Sequence, residues 1–181
     1  GQIVTEDVRE EVGYTEEKGR RVFKPDGTYQ KIAAVERHKN TGKIGVGIVK
    51  GFGLRGGAIA SSVSHDSHNL IVIGDNDHDM YLAVQELLRT QGGYTLVENG
   101  QVFDTLPLPI MGLMSDAGYE KVNEKLARMI SKAHEMGIPE GFDPFITLSF
   151  MALPVIPEIR ITPRGVYLTQ EDRMIQSPFD R

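Results

Sequence analysis

A short polar segment between two apolar runs carries the side chains of this sequence best suited to chemistry. Its members are Ser64, His65, Asp66, Ser67, His68 and Asn69. Two imidazoles beside a carboxylate can exchange protons near neutral pH, and they can also bind a metal ion or a polar ligand. This segment, hereafter the 64–69 loop, is therefore the candidate functional site of the chain.

The histidines leave two interpretations of this loop open. His65 and His68 lie three positions apart with Asp66 between them, so they could supply a pair of ligands. The same side chains could instead hydrogen-bond within the loop and only fix its shape. Together with His38, His78 and His134 they form no His-x-His, no His-Glu-x-x-His and no helical i, i+4 pair. The sequence therefore indicates no metal site within this chain.

Strands must hold the loop in place. Residues 58–63 and 70–73, which flank it, are apolar and rich in β-branched residues, a pattern that predicts buried strands. Further strands are predicted at 31–38 and 44–50, where Gly45 and Gly47 indicate close approach of another backbone.

Two hairpins complete the predicted sheet. Asn99-Gly100 predicts a hairpin between residues 94–98 and 101–104. Residues 159–161 and 165–168 predict a last hairpin.

Apolar residues at helical spacing predict two helices, over residues 77–91 and 117–136. Asn76 or Asp77 is the expected cap of the first helix. The acidic run 75–79 lacks the glycine and the glutamate of a calcium-binding loop, which favours capping. Because the elements do not alternate regularly, we predict an α+β fold: a mixed, largely antiparallel sheet of about six to eight strands with two helices packed on one face.

Two further segments have unusual compositions. The glycine-rich residues 51–57 lack the Gly-Lys-Ser/Thr ending of a phosphate-binding loop, so we interpret them as a structural loop. Residues 145–155 are almost wholly apolar, and prolines interrupt them and the residues that follow. They predict a buried extended or single-turn segment, or a surface that another domain covers.

Composition limits the possible functions. The chain has 181 residues, enough for one domain with a core. Its net charge of −5 and the lack of a basic cluster disfavour nucleic-acid binding. The absence of cysteine excludes disulfides, thiolate metal sites and a cysteine nucleophile, and it is typical of a cytoplasmic protein. No apolar run is long enough for a membrane span, so no membrane partner is predicted.

Three stretches carry a family resemblance. They are VERHKNTGKIGVGIVKGFGLRGGAIASSVSHDSHNLIVIGDNDHDM, LPLPIMGLMSD and PFITLSFMALPVIPEIRIT. They resemble the C-terminal region of bacterial-type adenine deaminases, members of the amidohydrolase superfamily. The resulting division is an exposed N-terminal arm with the first strands (1–30), the adenine deaminase C-terminal-type domain (31–168) and a polar tail expected to be disordered (169–181). The start at Gly1 without methionine suggests a piece of something longer or a processed chain.

The resemblance implies that a metal-binding (β/α)₈ barrel and a small β-domain precede this region in the complete enzyme. There a hydroxide on a two-metal centre, manganese or iron, attacks C6 of adenine, and hypoxanthine and ammonia result. The implied partners are that barrel and small β-domain, adenine as substrate, and further copies in a homo-oligomer. No cofactor and no catalytic residue is assigned to this chain itself. Arg37, His38 and the 64–69 loop match the family motif and are candidates for binding substrate or facing the active site.

Three hypotheses for the role of the chain remain. His65, Asp66, His68 and Asn69 could help to bind or enclose the purine. Alternatively, the chain could be a structural module that packs its apolar segment on the barrel or on another subunit. It could also be an independent domain that binds a metal or a small ligand.

Overall fold

The computed structural model describes residues 3–175. The helices are α1 (Asp77–Arg89), α2 (Tyr119–Glu135) and α3 (Pro144–Phe150). The strands are β1 (Tyr14–Glu17), β2 (Arg20–Phe23), β3 (Tyr29–Val35), β4 (Ile44–Lys50), β5 (Gly57–Ser61), β6 (Leu70–Gly74), β7 (Gly93–Glu98), β8 (Gln101–Pro107), β9 (Ile159–Thr162), β10 (Gly165–Leu168) and β11 (Arg173–Ile175).

A six-stranded sheet in the order β4-β3-β6-β5-β7-β8 forms the centre of the domain. Every neighbouring pair in it is antiparallel. All residues of β5 and β6 are buried, in agreement with their apolar, β-branched sequences. The predicted α+β class with a largely antiparallel sheet is confirmed.

The helices cover both faces of this sheet. Buried residues of α1, among them Met80 and Leu87, pack with Ala58 and Val72. Met129 of α2 and Phe145 of α3 pack with Ile71 and other residues that point to the opposite face. The expectation of two helices on one face is therefore corrected to one helix on the first face and two on the second. A helical pattern shows which stripe of a helix is buried but not which face of the sheet receives it.

The start of α1 follows the capping prediction. The side chain of Asn76 accepts a hydrogen bond from the Asp79 amide (2.8 Å). Asp75 accepts from the amides of Gly56 and Gly57 in the glycine-rich segment. Carboxylates of the acidic run thus bind backbone amides within the protein, which supports the structural interpretation of both segments.

Helix α3 differs from the extended or single-turn segment expected there. Asp143 precedes it, and its carboxylate accepts from the amides of Phe145 (2.8 Å) and Ile146 (2.9 Å). Pro144 occupies the first turn, where its missing N–H costs nothing. The Asp-Pro pair therefore begins a helix, and Pro154 and Pro157 lie beyond its end.

A second sheet of order β11-β10-β9 packs against the edge strand β4. A Cβ at Gly45 would lie 1.9 Å from the carbonyl oxygen of Thr162, so the predicted close backbone approach at this glycine is confirmed. The polar tail expected to be disordered is structured over residues 169–175: the Thr169 amide donates to the Glu158 carbonyl oxygen (2.9 Å), and β11 pairs with β10. Residues 176–181 of that tail lie outside the described residues. Within residues 3–175 no helix combines the length and hydrophobicity that membrane crossing requires.

Candidate functional site

The 64–69 loop leaves the sheet between its two most buried strands, β5 and β6. The His68 amide donates to the Ser64 carbonyl oxygen (2.6 Å), and the His65 amide donates to the Ser149 carbonyl oxygen at the end of α3 (3.1 Å). His68 has φ of 50°, a conformation uncommon for residues other than glycine. The loop is therefore held at both ends by buried strands and in its middle by backbone hydrogen bonds.

Arg37 connects this loop with a second one, the turn 110–114. Its Nε donates to the carbonyl oxygen of His68 and its Nη2 to that of Met111 (2.8 Å). Its backbone amide donates to Asn69 Oδ1 (3.2 Å). Partial burial lowers the pKa of Arg37 below its usual value. No Asp or Glu within the described chain forms an ion pair with it.

Gly112 allows this arrangement. It has φ of 75°, and a Cβ there would lie 2.5 Å from Arg37 Nη1. Its carbonyl oxygen accepts from Ser62 Oγ (2.6 Å), which in turn accepts from the Gly93 amide (2.7 Å). A larger residue at position 112 would thus displace the guanidinium that supports His68.

His38 lies on the other side of the loop. Its Nε2 is 2.7 Å from the carbonyl oxygen of Ser67. The loop that carries His38 is organised by Glu36, whose carboxylate accepts from the amides of His38 (2.6 Å), Lys39 (2.7 Å) and Thr41 (3.0 Å).

The pKa of Glu36 provides a pH-dependent prediction. The Thr41 amide, with those of Lys39 and His38, lowers this pKa from 4.5 to about 2. These bonds therefore stabilise the loop fully above pH 4.5 and are lost as the pH falls through about 2. NMR titration of the Thr41 amide shift should give a midpoint near the lower value, and Glu36→Gln should abolish the transition. A midpoint near 4.5 would contradict these contacts.

The two loop histidines have different environments. The His65 ring stacks on Phe150, with centroids 4.8 Å apart, and its Nδ1 is 3.5 Å from Asp66 Oδ1. The His68 ring lies 6.0 Å from that of His65. Burial, followed by the nearby His65 and Arg37, lowers the pKa of His68, so its imidazole is neutral at pH 7.

Two polar atoms of the loop have unusual surroundings. Ser64 Oγ and His68 Nδ1 are buried, and neither has a hydrogen-bond partner among the described residues. Leaving such groups unpaired costs about 1–3 kcal/mol each. A polar group of a ligand or of another domain could form hydrogen bonds with these two atoms.

Hydrogen bonds thus connect five of the sequence-predicted residues in one cluster: Arg37, His38, Ser67, His68 and Asn69. His65 faces Phe150 instead, and the Asp66 side chain is 81% exposed. The sequence did not single out Phe150, Met111 and Gly112 as site residues. What could have indicated them is that they lie in the second and third stretches of the family resemblance.

Among residues 3–175, no group of three or more His, Asp or Glu side chains is placed to hold a metal ion. The metal expected of the complete enzyme therefore has no set of ligands among residues 3–175. His78 and His134 lie on α1 and α2, away from the loop, and His134 Nδ1 is 3.0 Å from the carbonyl oxygen of Ile138.

Fold and site together define an α+β domain that presents one polar loop, supported by an arginine, at the end of two buried strands. Residues 2–173 match the family model described as "Adenine deaminase C-terminal domain", and the chain belongs to this family.

Curated relatives agree. The chain is 54% identical over 176 residues to an adenine deaminase of Desulfitobacterium hafniense, a match that covers 97% of this chain and 30% of the relative. It is 55% identical over 146 residues to one of Nitratidesulfovibrio vulgaris, covering 80% of this chain and 25% of the relative. For the adenine deaminase of Bacillus subtilis the identity is 49% over 149 residues, covering 81% and 26%. The chain thus spans between a quarter and a third of the length of these relatives.

Proposed function

We propose that this chain is the C-terminal part of an adenine deaminase, an enzyme that hydrolyses adenine to hypoxanthine and ammonia. We further propose that its 64–69 loop, with Arg37 and His38, faces the active site of the complete enzyme. The names of the relatives and the match to their C-terminal domain support the first part. The chemistry of the loop supports the second.

The observation that carries the second part is the unpartnered Nδ1 of His68. This imidazole is neutral at pH 7, so its two ring nitrogens offer one donor and one acceptor. Purines carry both kinds of group on their edges. Because Arg37 holds the His68 carbonyl oxygen, the ring has a fixed backbone from which to bind a polar partner. His68 is therefore the residue we assign to substrate binding or enclosure.

The rest of the proposed enzyme supplies what this chain lacks. The manganese or iron and its ligands belong to the preceding barrel, and the small β-domain and further copies of the enzyme complete the assembly in the cytoplasm. No step of the metal chemistry is assigned to residues of this chain.

A second candidate role is a purely structural or oligomerisation module. The observation that favours it is the exposure of Ile146 (53%) and Val155 (79%) in and after α3. Such apolar side chains are typical of a surface that another domain or subunit covers. The two roles predict different kinetic effects of substitutions in the 64–69 loop.

The isolated 181-residue chain should not deaminate adenine, even with added manganese or iron, because residues 3–175 contain no cluster of His, Asp or Glu side chains that could bind the metal and activate a water molecule. Release of ammonia and formation of hypoxanthine are the measurements. The matched positive control is a hybrid enzyme in which this chain replaces the matched region of the Desulfitobacterium hafniense relative. Turnover by the isolated chain above a protein-free blank would contradict this prediction.

A further inference from the structure

An open groove of about 1130 Å³ lies between the N-terminal residues 3–12 and the strands β4, β9 and β10. Its lining is mixed, with polar and apolar surface in nearly equal parts. The apolar lining residues outside the N-terminal segment, hereafter the floor, include Ile48, Val49, Met151, Ile159 and Val166. Charged residues such as Arg9, Glu10 and Lys50 also line it. An apolar floor with charged neighbours is a surface suited to apolar side chains of a protein partner.

Arg160 of β9 fixes the N-terminal residues at one end of this groove. Its guanidinium donates to Thr5 Oγ1 and to the Ile3 carbonyl oxygen (2.9 Å). It also donates to the carbonyl oxygens of Ile156 (2.8 Å) and Pro157 (2.7 Å). One side chain thus joins the N-terminal segment to the turn before β9.

Backbone hydrogen bonds reinforce this attachment. The Thr5 amide donates to the Pro157 carbonyl oxygen (3.2 Å), and the Glu158 amide donates to the Thr5 carbonyl oxygen (2.8 Å). The Asp7 amide donates to Glu158 Oε2 (3.0 Å). The path of residues 3–7 is therefore fixed by the fold.

The burial of Arg160 makes this attachment costly. The residue is 2% exposed, and burial lowers its pKa to about 10. The four acceptors of its hydrogen bonds within the described chain are all neutral oxygens. A buried charge is expensive to maintain, and all its acceptors belong to the N-terminal segment and the adjoining turn.

The segment crosses the groove without filling it. At its far end Glu10 binds Lys50 Nζ (2.6 Å) and the Tyr29 hydroxyl. Val4 lies within the first attachment and Val8 between the two; both line the groove, and each is 45% exposed. Apolar side chains on both sides of the groove are thus available to a partner.

We infer that this groove binds apolar side chains from the part of the adenine deaminase that precedes this domain in the complete enzyme. The chain matches a C-terminal domain and spans 25–30% of the length of the first relatives. The larger part of such an enzyme therefore comes before this domain in the sequence. Ile3 lines the groove, and Arg160 fixes residues 3–7, so the described part of the chain begins beside the groove. This inference rests on the proposed position of the chain in a longer enzyme, but not on the role of the 64–69 loop.

Single cysteines test the inference, since the chain contains none. Val8→Cys places a thiol in the groove. Val102→Cys is the matched control, because Val102 is 42% exposed on β8, the opposite edge strand of the sheet from β4. The rate of maleimide labelling at each position is measured by peptide mass spectrometry, in the hybrid enzyme and in the 181-residue chain.

We expect Val8→Cys to react at least about tenfold more slowly in the hybrid enzyme than in the 181-residue chain, because a bound segment must open before the thiol reacts. Val102→Cys should change much less, and Val4→Cys should follow Val8→Cys. Protection at Val8 no greater than at Val102 would overturn the inference. Protection that disappears on dilution to the monomer would also overturn it, because the occupant would then be a second copy. Neither result depends on kcat/KM, so the role of the loop is judged separately.

Discussion

Replacing His68 with glutamine in the hybrid enzyme should lower kcat/KM for adenine by more than about tenfold, or ~1.4 kcal/mol of transition-state stabilisation. His68 is a neutral imidazole whose Nδ1 has no partner among the described residues, at a position that the backbone and Arg37 hold fixed. Glutamine keeps a donor and an acceptor but places them differently. A residue that binds or encloses the purine should therefore lose activity, whereas the fold should persist.

The matched control is His78→Gln. Like His65 of the loop, His78 lies beside a carboxylate, 3.3 Å from Asp79 Oδ1, but its side chain is 71% exposed and it lies on α1. Its replacement should leave kcat/KM within about twofold, because an exposed side chain on α1 takes no part in the loop and its substitution changes stability by no more than about 0.5 kcal/mol. Thermal melting of each variant separates lost stability from lost activity.

His65→Gln completes the comparison. The ring of His65 stacks on Phe150, so its loss should affect the contact between the loop and α3 as well as any contact to substrate. If both His65→Gln and His68→Gln fold normally and retain the kinetics of the unmodified hybrid enzyme, the loop only shapes the sheet connection. The structural role would then be the better description of the chain.

Local sequence signals predicted much of the fold. Strand β4 has the predicted bounds, and β5 and β6 lie within one or two residues of theirs. Asn99 and Gly100 both have positive φ, the conformation for which this pair is favoured, and β7 and β8 flank them. These patterns involve residues that are close together in the sequence, so a single sequence is enough to identify them.

Long-range contacts explain what the sequence did not show. Arg37 and Met111 are separated by 74 positions, and no local pattern connects them. The same holds for Arg160 and Ile3, which are separated by 157 positions. The sequence singled out the 64–69 loop because six polar residues follow an apolar strand. Which of its imidazoles lacks a partner depends on contacts that only the folded chain creates.

Leu87→Asp should unfold the domain. Leu87 is 1% exposed and packs on the face of the sheet that α1 covers. Removing a buried leucine side chain costs about 2–5 kcal/mol. An unpaired carboxylate in the same place adds several kcal/mol or forces local unfolding. Because domains of this size are stable by only about 5–15 kcal/mol, the sum is enough to abolish the native state.

The neighbouring residue provides the control for this prediction. Leu88 lies on the same helix but is 57% exposed. Leu88→Asp introduces the same charge in the last turn of α1, where the helix dipole opposes it by about 0.3–1 kcal/mol. Circular dichroism should show a cooperative thermal transition for Leu88→Asp and none for Leu87→Asp. Equal melting temperatures would mean that α1 does not bury its Leu87 stripe on the sheet, and the packing of the first face would have to be revised.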